Sequence, residues 1–325
     1  MVPAIRENGL PVFIFVSFVS FEVNEFCVSN DYQLVQLANG EKTLFSSAYG
    51  EKMHPGLGPV AEAELLYVRQ MQICERLKIG AGEFVIWDIG LGGAANAIAA
   101  LRATREISGS LRLISFDNTA EPLEFALKNA AALNYPISYE NPIAQLLSEK
   151  HVAFQNGNCA VNWEFHLGDF PAWLASKNGG RAPAPHAIFY DAFSPAKNPA
   201  MWTLPVFENL FRALDQARPC ALTTYSRSTV LRTTLLLAGF FVGVGHATGM
   251  KEETTIAANT PDLIAEPLGQ RWLERALRSD SAEPLREPVY SRAPLAPVTA
   301  AKLRRHPQFS GFSGNNPVDG LGENL

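Results

Sequence analysis

The chain has 325 residues, of which 47% are hydrophobic and 18% charged, so it has the apolar content to bury a core and is not a disordered polymer. That length accommodates one α/β domain with extensions, or two small domains. The net charge is −5, so any contact with a polyanion has to come from a local basic patch. Cys27, Cys74, Cys159 and Cys220 are far apart, with no C-x-x-C pair and no histidine at ligand spacing. They read as reduced thiols of a cytoplasmic protein, with no metal site and no disulfide framework.

Residues 1–30 read as an apolar N-terminal extension. The run at 10–23, LPVFIFVSFVSFEV, is too short to span a bilayer, and Glu7 offsets Arg6 where a signal peptide would be basic. It is expected to be a buried strand or an upstream extension, with no membrane attachment. Residues 31–60 form an entry segment. Two β runs, 32–37 and 43–47, flank Asn39-Gly40, a strong hairpin signal, and a turn-rich stretch runs from His54 to Pro59.

Residues 61–280 carry an alternating pattern. A helix is expected over 61–77, with Glu62 and Glu64 suiting its N-terminus. Seven β runs follow, at 84–88, 111–117, 162–167, 187–191, 220–225, 240–245 and 253–258. Helical segments at 94–105, 121–133, 143–150, 204–214 and 229–237 lie between them, and another follows at 271–278. Such alternation predicts an α/β fold with a mostly parallel seven-stranded sheet, helices on both faces, and the last two runs as an antiparallel edge. Residues 281–325 are rich in proline and glycine and read as a loosely ordered tail.

The chemistry concentrates at the ends of the runs. Val85 to Gly93 is an apolar strand that ends in Asp88 and turns on Gly90, Gly92 and Gly93 into a helix. Glycines there let a ligand approach the backbone closely. In dinucleotide folds such a turn cradles a pyrophosphate, which Asp88 would repel; an acid suits the ammonium and sulfonium of S-adenosylmethionine instead. The turn alone is also compatible with NAD or FAD. Asp117 ends the second run, where an acid accepts hydrogen bonds from ribose hydroxyls. Asp169 ends the third, suited both to the adenine edge and to capping the helix after it. These acids fall on one sheet edge, where open α/β sheets bind ligands.

The fourth run ends in Asp191, within Asp191-Ala-Phe-Ser-Pro-Ala-Lys-Asn-Pro-Ala-Met-Trp202. A carboxylate at this place can orient an amine and accept its proton while the nitrogen lone pair attacks a methyl group, although an Asp at a strand exit also serves as a helix cap. Phe193 and Trp202 are candidates to stack on a base and Lys197 to meet a phosphate, though such residues are commonly core aromatics and a solvated lysine.

That segment resembles the D-[GA]-F-[SA]-P-x-K-N-P-x-M-W signature of the MnmC-like methyltransferases. Thr43-Leu-Phe-Ser-Ser-Ala-Tyr-Gly-Glu-Lys-Met-His54 and Gly58-Pro-Val-Ala-Glu62 resemble that family's entry segment, and Gly249-Met-Lys-Glu-Glu-Thr254 its ending. The resemblance implies a Rossmann-like class I fold binding S-adenosylmethionine through Glu62, Asp88, Gly90, Gly92, Gly93, Asp117 and Asp169. It implies Asp191 at the target amine, with Phe193, Lys197, Asn198 and Trp202 around it. The implied substrate is an aminomethyl group on the wobble uridine of a tRNA, methylated by a chain without the FAD-dependent oxidase domain of bifunctional relatives. The glycine turn reads G-L-G-G-A where the family has G-F-G-T-G, and His54-Pro55-Gly56-Leu57-Gly58 replaces H-S-R-H-G. Three other readings stand beside this one: methylation of a small-molecule or protein amine, an NAD- or FAD-dependent oxidoreductase, and a non-catalytic partner protein that retains the fold.

Overall fold

The computed structural model describes residues 31–80, 82–176, 182–248 and 252–310. The apolar run at 10–23, Cys27, part of the 249–254 motif and residues 311–325 lie outside them.

Three short strands come first: β1 (Tyr32–Gln36), β2 (Lys42–Ser46) and β3 (Glu51–Lys52), paired antiparallel in that order. Asn39-Gly40 makes the first turn, with Gly40 at φ 88°, a conformation open to a residue without a Cβ. The main sheet holds β4 (Glu83–Ile89), β5 (Gly109–Asp117), β6 (His151–Asn156), β7 (Cys159–Leu167), β8 (Ala187–Tyr190), β9 (Ala221–Thr224), β10 (Phe241–Gly245) and β11 (Thr254–Ala258). Its order is β10-β11-β9-β8-β4-β5-β7-β6. The five strands from β9 to β7 are parallel, and antiparallel strands stand at both edges.

The expected sheet thus gains an eighth strand, β6, which hairpins onto β7. Asn156-Gly157 turns it, with Gly157 at φ 62°. This is the same signal as Asn39-Gly40. Central β4 is buried along nearly its whole length, as a parallel strand covered on both faces must be.

Helices α1 (Pro59–Ala63), α2 (Ile73–Ile79), α3 (Ala95–Thr104), α4 (Glu121–Lys128), α5 (Ala130–Leu133) and α6 (Glu140–Glu149) supply one half of the connections. The other half uses α7 (Phe170–Ala175), α8 (Leu204–Arg212), α9 (Thr229–Ala238), α10 (Gln270–Leu277), α11 (Pro297–Arg304) and α12 (Pro307–Ser310). Two apolar cores result. One joins Ile86, Leu111 and Trp163 to α3 and α6; the other joins Trp87, Ile188 and Leu222 to α8, α9 and α10. This is the three-layer solution for a parallel sheet.

The helix expected over 61–77 is interrupted. Between α1 and α2 the chain is π-helical at Glu64–Arg69, and Gln72 is left-handed. Glu64 and Arg69, five residues apart, pair at 2.5 Å across that wider turn. Such bulges recur beside functional sites, and this one carries Leu66 and Tyr67 to the ligand cavity.

Residues 282–310 also depart from the loose tail expected of them. Leu303 and Phe309 are buried in the second core. The Gln308 side chain donates to the carbonyls of Val242 and Leu268 and accepts from the Val242 N–H, each at 2.8 Å. Five prolines hide an ordered wrap here only because its apolar anchors are widely spaced, not because they are missing.

Candidate active site

The chain order reverses at β4, which has β5 on one side and β8 on the other. Ligands of open α/β sheets bind in the crevice at such a point, beyond the carboxyl ends of the strands. The glycine turn lies there. Gly90, at φ 91°, and Leu91 donate their N–H groups to the Phe116 carbonyl at 2.9 and 3.1 Å. A Cβ on Gly90 would stand 2.7 Å from the Asp191 carbonyl oxygen, so the β4 and β8 exits approach too closely for any side chain. Gly92, at φ 50°, donates its N–H to Asp117 Oδ2 at 2.8 Å. Gly93 packs under the Tyr135 hydroxyl, which donates to its carbonyl at 2.9 Å.

Above the turn lies a cavity of about 460 Å³. Of the residues singled out from sequence, Glu62, Gly90, Gly92, Gly93, Asp117, Asp169, Asp191, Phe193 and Asn198 line it; Asp88, Lys197 and Trp202 do not. Glu62 Oε1 accepts from the Gly56 and Leu57 N–H groups at 2.5 and 2.8 Å, pinning the entry loop over the cavity. Asp117 is held by the Gly92 and Thr119 N–H groups; its burial raises its pKa, and these donors oppose that. Asp169 caps α7, accepting from the Ala172 N–H at 2.7 Å, while also facing the cavity.

Trp202 is a core residue, 3% exposed, whose indole N–H donates to the Phe193 carbonyl at 2.8 Å. The side chain of Lys197 is exposed, the solvated alternative for such a lysine. Phe193 instead stacks on Tyr49 at 4.0 Å between ring centroids. Glu51 on β3 ties down the same loop, accepting from Ser194 Oγ at 2.5 Å and its N–H at 3.2 Å.

Asp191 stands at the cavity floor within a cluster that no single motif spells out. Asn96, buried in the first turn of α3, donates from Nδ2 to Asp191 Oδ2 at 2.7 Å. His54 Nε2 lies 4.0 Å from the same oxygen. Burial, and then the Asp191 charge, push the Tyr67 phenol well above its ordinary pKa. The same two causes, followed by Glu51, act on Tyr225, whose hydroxyl donates to the Ala192 carbonyl at 2.9 Å. Both phenols therefore keep their protons. Asn96, His54, Tyr67 and Tyr225 come from four separate segments, so their convergence is a property of the fold; the only sequence hint was that Asn96 follows the glycine turn.

Asp88 differs from its expected place. It is fully buried beneath the turn, with one carboxyl oxygen 3.0 Å from Ser115 Oγ and the other without a partner. Ser115 Oγ also accepts from Trp163 Nε1 at 2.9 Å. Burial pushes the Asp88 carboxyl up to about 8; the charges of Asp191 and Asp117 push the same way, and the Ser115 hydrogen bond opposes them. A carboxyl raised in the folded state holds a proton that the unfolded chain releases near pH 4, so its contribution to stability is lost as pH rises from about 4 through about 8. The limiting slope is about 1.4 kcal/mol per pH unit. Asp88→Asn is therefore expected to gain stability relative to wild type as pH goes from 5 to 8. Urea midpoints of both proteins at the two pH values check this; an unchanged difference would refute it.

The comparisons with known proteins agree with this geometry. A family model described as S-adenosyl-L-methionine-dependent methyltransferase matches residues 137–260. The chain is 28% identical over 256 residues to the tRNA 5-methylaminomethyl-2-thiouridine biosynthesis bifunctional protein MnmC of Cupriavidus necator, covering 74% of this chain and 37% of that one. It is 29% identical over 231 residues to the protein of the same name from Methylibium petroleiphilum, covering 69% and 34%. It spans about a third of the length of these relatives. The crystal structure of MnmC2 from Aquifex aeolicus superposes with a TM-score of 0.61 at 26% identity, covering 84% of each chain.

Fold, cavity and family model together define a class I S-adenosylmethionine-dependent methyltransferase. Within that class the chain is similar to the MnmC-like methyltransferases.

Proposed function

We propose that this chain methylates the nitrogen of an aminomethyl group on the wobble uridine of a tRNA, in the cytoplasm. The observation that carries the reading is Asp191 at the cavity floor, fixed by Asn96 and set in the loop whose sequence resembles the family signature. The names of the relatives supply the substrate. Among the described residues no helix is long and apolar enough to cross a membrane.

The residues present fit S-adenosylmethionine. The turn admits no Cβ at Gly90, and acids line the cavity where a cationic ligand would sit. Asp117 would take the ribose, Asp169 and Phe170 the adenine side, and Glu62 with the glycine turn the amino-acid end; Asp88 would add its polarity from beneath. The bound cofactor supplies an electrophilic methyl group on a sulfonium. Asp191 accepts a hydrogen bond from the substrate amine and aims its lone pair, which is the positioning that an in-line displacement needs. Phe193 and Tyr49 offer a stacked aromatic pair that a planar base can extend.

Methyl transfer from labelled S-adenosylmethionine to bulk tRNA from cells lacking the wobble-uridine methylation tests the reading. Label is expected in a wobble methylaminomethyl-uridine. An unlabelled tRNA pool, with cofactor binding intact, would refute it. One observation favours a second reading, methylation of a small cationic amine: the cavity is lined by Glu51, Glu62, Asp117, Asp169 and Asp191 against a single lysine, Lys52. Label on free polyamines and none on tRNA would select that alternative.

A further inference from the structure

A primary amine near neutral pH carries a proton, its ordinary pKa being about 10, and has no lone pair to offer until that proton leaves. An ordinary carboxylate, at about 4, orients such an amine but is a poor resting place for its proton, whereas an imidazole, at about 6.5, is a better one. The cavity floor holds both kinds of group. His54 Nε2 lies 4.0 Å from Asp191 Oδ2, and the two side chains are 13% and 19% exposed. His54 lines the cavity and is held at φ 52°, a left-handed conformation that is strained for a residue with a Cβ. The loop is fastened on both sides of it, by Met53 N–H to the Leu44 carbonyl at 2.8 Å and by the Glu62 contacts to Gly56 and Leu57.

The other titratable and charged groups around the pair are committed elsewhere. Tyr67 and Tyr225 hold their protons firmly. Glu51 accepts from Ser194, Glu62 from the entry loop, and Asp117 from Gly92 and Thr119. Asp88 lies beneath the turn and off the cavity, and Lys52 is a basic group on its lining. Asn96 can only donate from the atom that faces Asp191.

We infer that His54 receives the proton of the substrate amine by way of Asp191, so that the site holds a two-residue proton path with Asp191 as orienter and His54 as acceptor. The inference rests on the amine-methylating reading above. The substrate ammonium gives one proton to the path. Its nitrogen then forms a bond to the methyl carbon as the carbon–sulfur bond breaks, the electron pair staying on sulfur. The product leaves as a secondary ammonium with neutral S-adenosylhomocysteine, and His54 returns the first proton to solvent.

Two experiments test this, and the first needs no substrate. With ring-labelled histidine, NMR at a single pH is expected to show different His54 ring-nitrogen signals in Asp191→Asn and in wild type, because the facing carboxylate is gone. Identical His54 signals in the two proteins overturn the coupling whatever the substrate is. The second uses His54→Asn and His54→Gly, both compatible with the left-handed backbone. On undermethylated tRNA, kcat at pH 7 is expected to fall on the order of 10²-fold, with cofactor affinity and KM unchanged and the acid limb of the wild-type pH profile removed. Added imidazole is expected to restore His54→Gly. Wild-type kcat in both variants, or a loss that imidazole does not relieve, overturns the path. Failure of wild type itself on tRNA would remove the proposed substrate, and the His54 ring signals would still decide the coupling.

Discussion

Asp191→Asn is expected to lower kcat for methyl transfer by roughly 10²–10⁴-fold, the range that removing a positioned acid–base group commands, while cofactor affinity changes by no more than a few fold. The side chain of Asp191 is fixed from one side by the Asn96 amide at 2.7 Å, and the Tyr67 and Tyr225 phenols nearby stay protonated. Asn96 therefore donates to it and the neighbouring phenols do not compete for its proton, which leaves the carboxylate as the acceptor of the cluster. An amide of the same shape keeps the packing and presents half the acceptors without the charge. The loss falls on the step in which the amine must be held with its lone pair free, and not on the cofactor, whose candidate contacts lie on Asp117, Asp169 and the glycine turn. Asp191→Ala goes further. It strips the Asn96 donor of its partner in a residue that is 2% exposed, where an unsatisfied buried polar group costs about 1–3 kcal/mol. The two variants should thus match in activity loss while only the alanine loses thermal stability. Rapid-quench single-turnover transfer, cofactor titration calorimetry and melting curves separate the three quantities. A kcat within tenfold of wild type in Asp191→Asn would remove Asp191 from the chemistry.

The fold was legible wherever one element's pattern decided the matter. Runs such as FVIWD and LRLISFD, each closed by an acid, announced parallel strands, and those strands are β4 and β5. Failures came where two elements decide together. β6 looks irregular alone, and becomes a strand because the Asn156-Gly157 turn lays Val152 opposite Trp163 on β7. The helix from 61 onward has an unbroken apolar face, so nothing in its periodicity marks the π-helical turn at Glu64–Arg69 or the left-handed Gln72. Gln70 reaches the His246 N–H at 2.5 Å instead of continuing a regular helix, a tertiary contact that a one-dimensional pattern does not contain. The site divides in the same way. Acids at strand ends mark the sheet edge, yet side chains alternate along a strand, and Ile89 faces the cavity while Asp88 is buried behind it. Trp202 and Lys197 share a signature with Asp191 but belong to the core and the surface. A signature records which residues occur together, whereas each side chain's direction depends on the turn that carries it.

Gly90→Ala is the substitution expected to damage both fold and function most for the fewest atoms added. The new Cβ would lie 2.7 Å from the Asp191 carbonyl oxygen, 2.9 Å from its carbon and 3.2 Å from the Ala192 nitrogen. All three are backbone atoms, so no rotamer change relieves the overlap. Relief requires the β4 and β8 exits to part, and they are joined by the Asp191 N–H to Ile89 carbonyl bond at 2.9 Å. The φ of 91° adds a backbone penalty of about 1–2 kcal/mol. Parting those exits moves Asp191 relative to the cofactor crevice, and displacement on the scale of 1 Å at a reacting centre costs on the order of 10²-fold in rate. Both cofactor affinity and kcat should therefore fall in Gly90→Ala, in contrast to Asp191→Asn, where only kcat falls. Gly92→Ala provides the control. Its φ of 50° is left-handed and carries a comparable backbone penalty, but its Cβ would meet only the flexible Met53 side chain, the sulfur at 3.3 Å and Cε at 3.7 Å. It should bind cofactor better than Gly90→Ala and melt at a higher temperature. Equal behaviour of the two variants would mean that the close approach of the β4 and β8 exits does not set the geometry of the site.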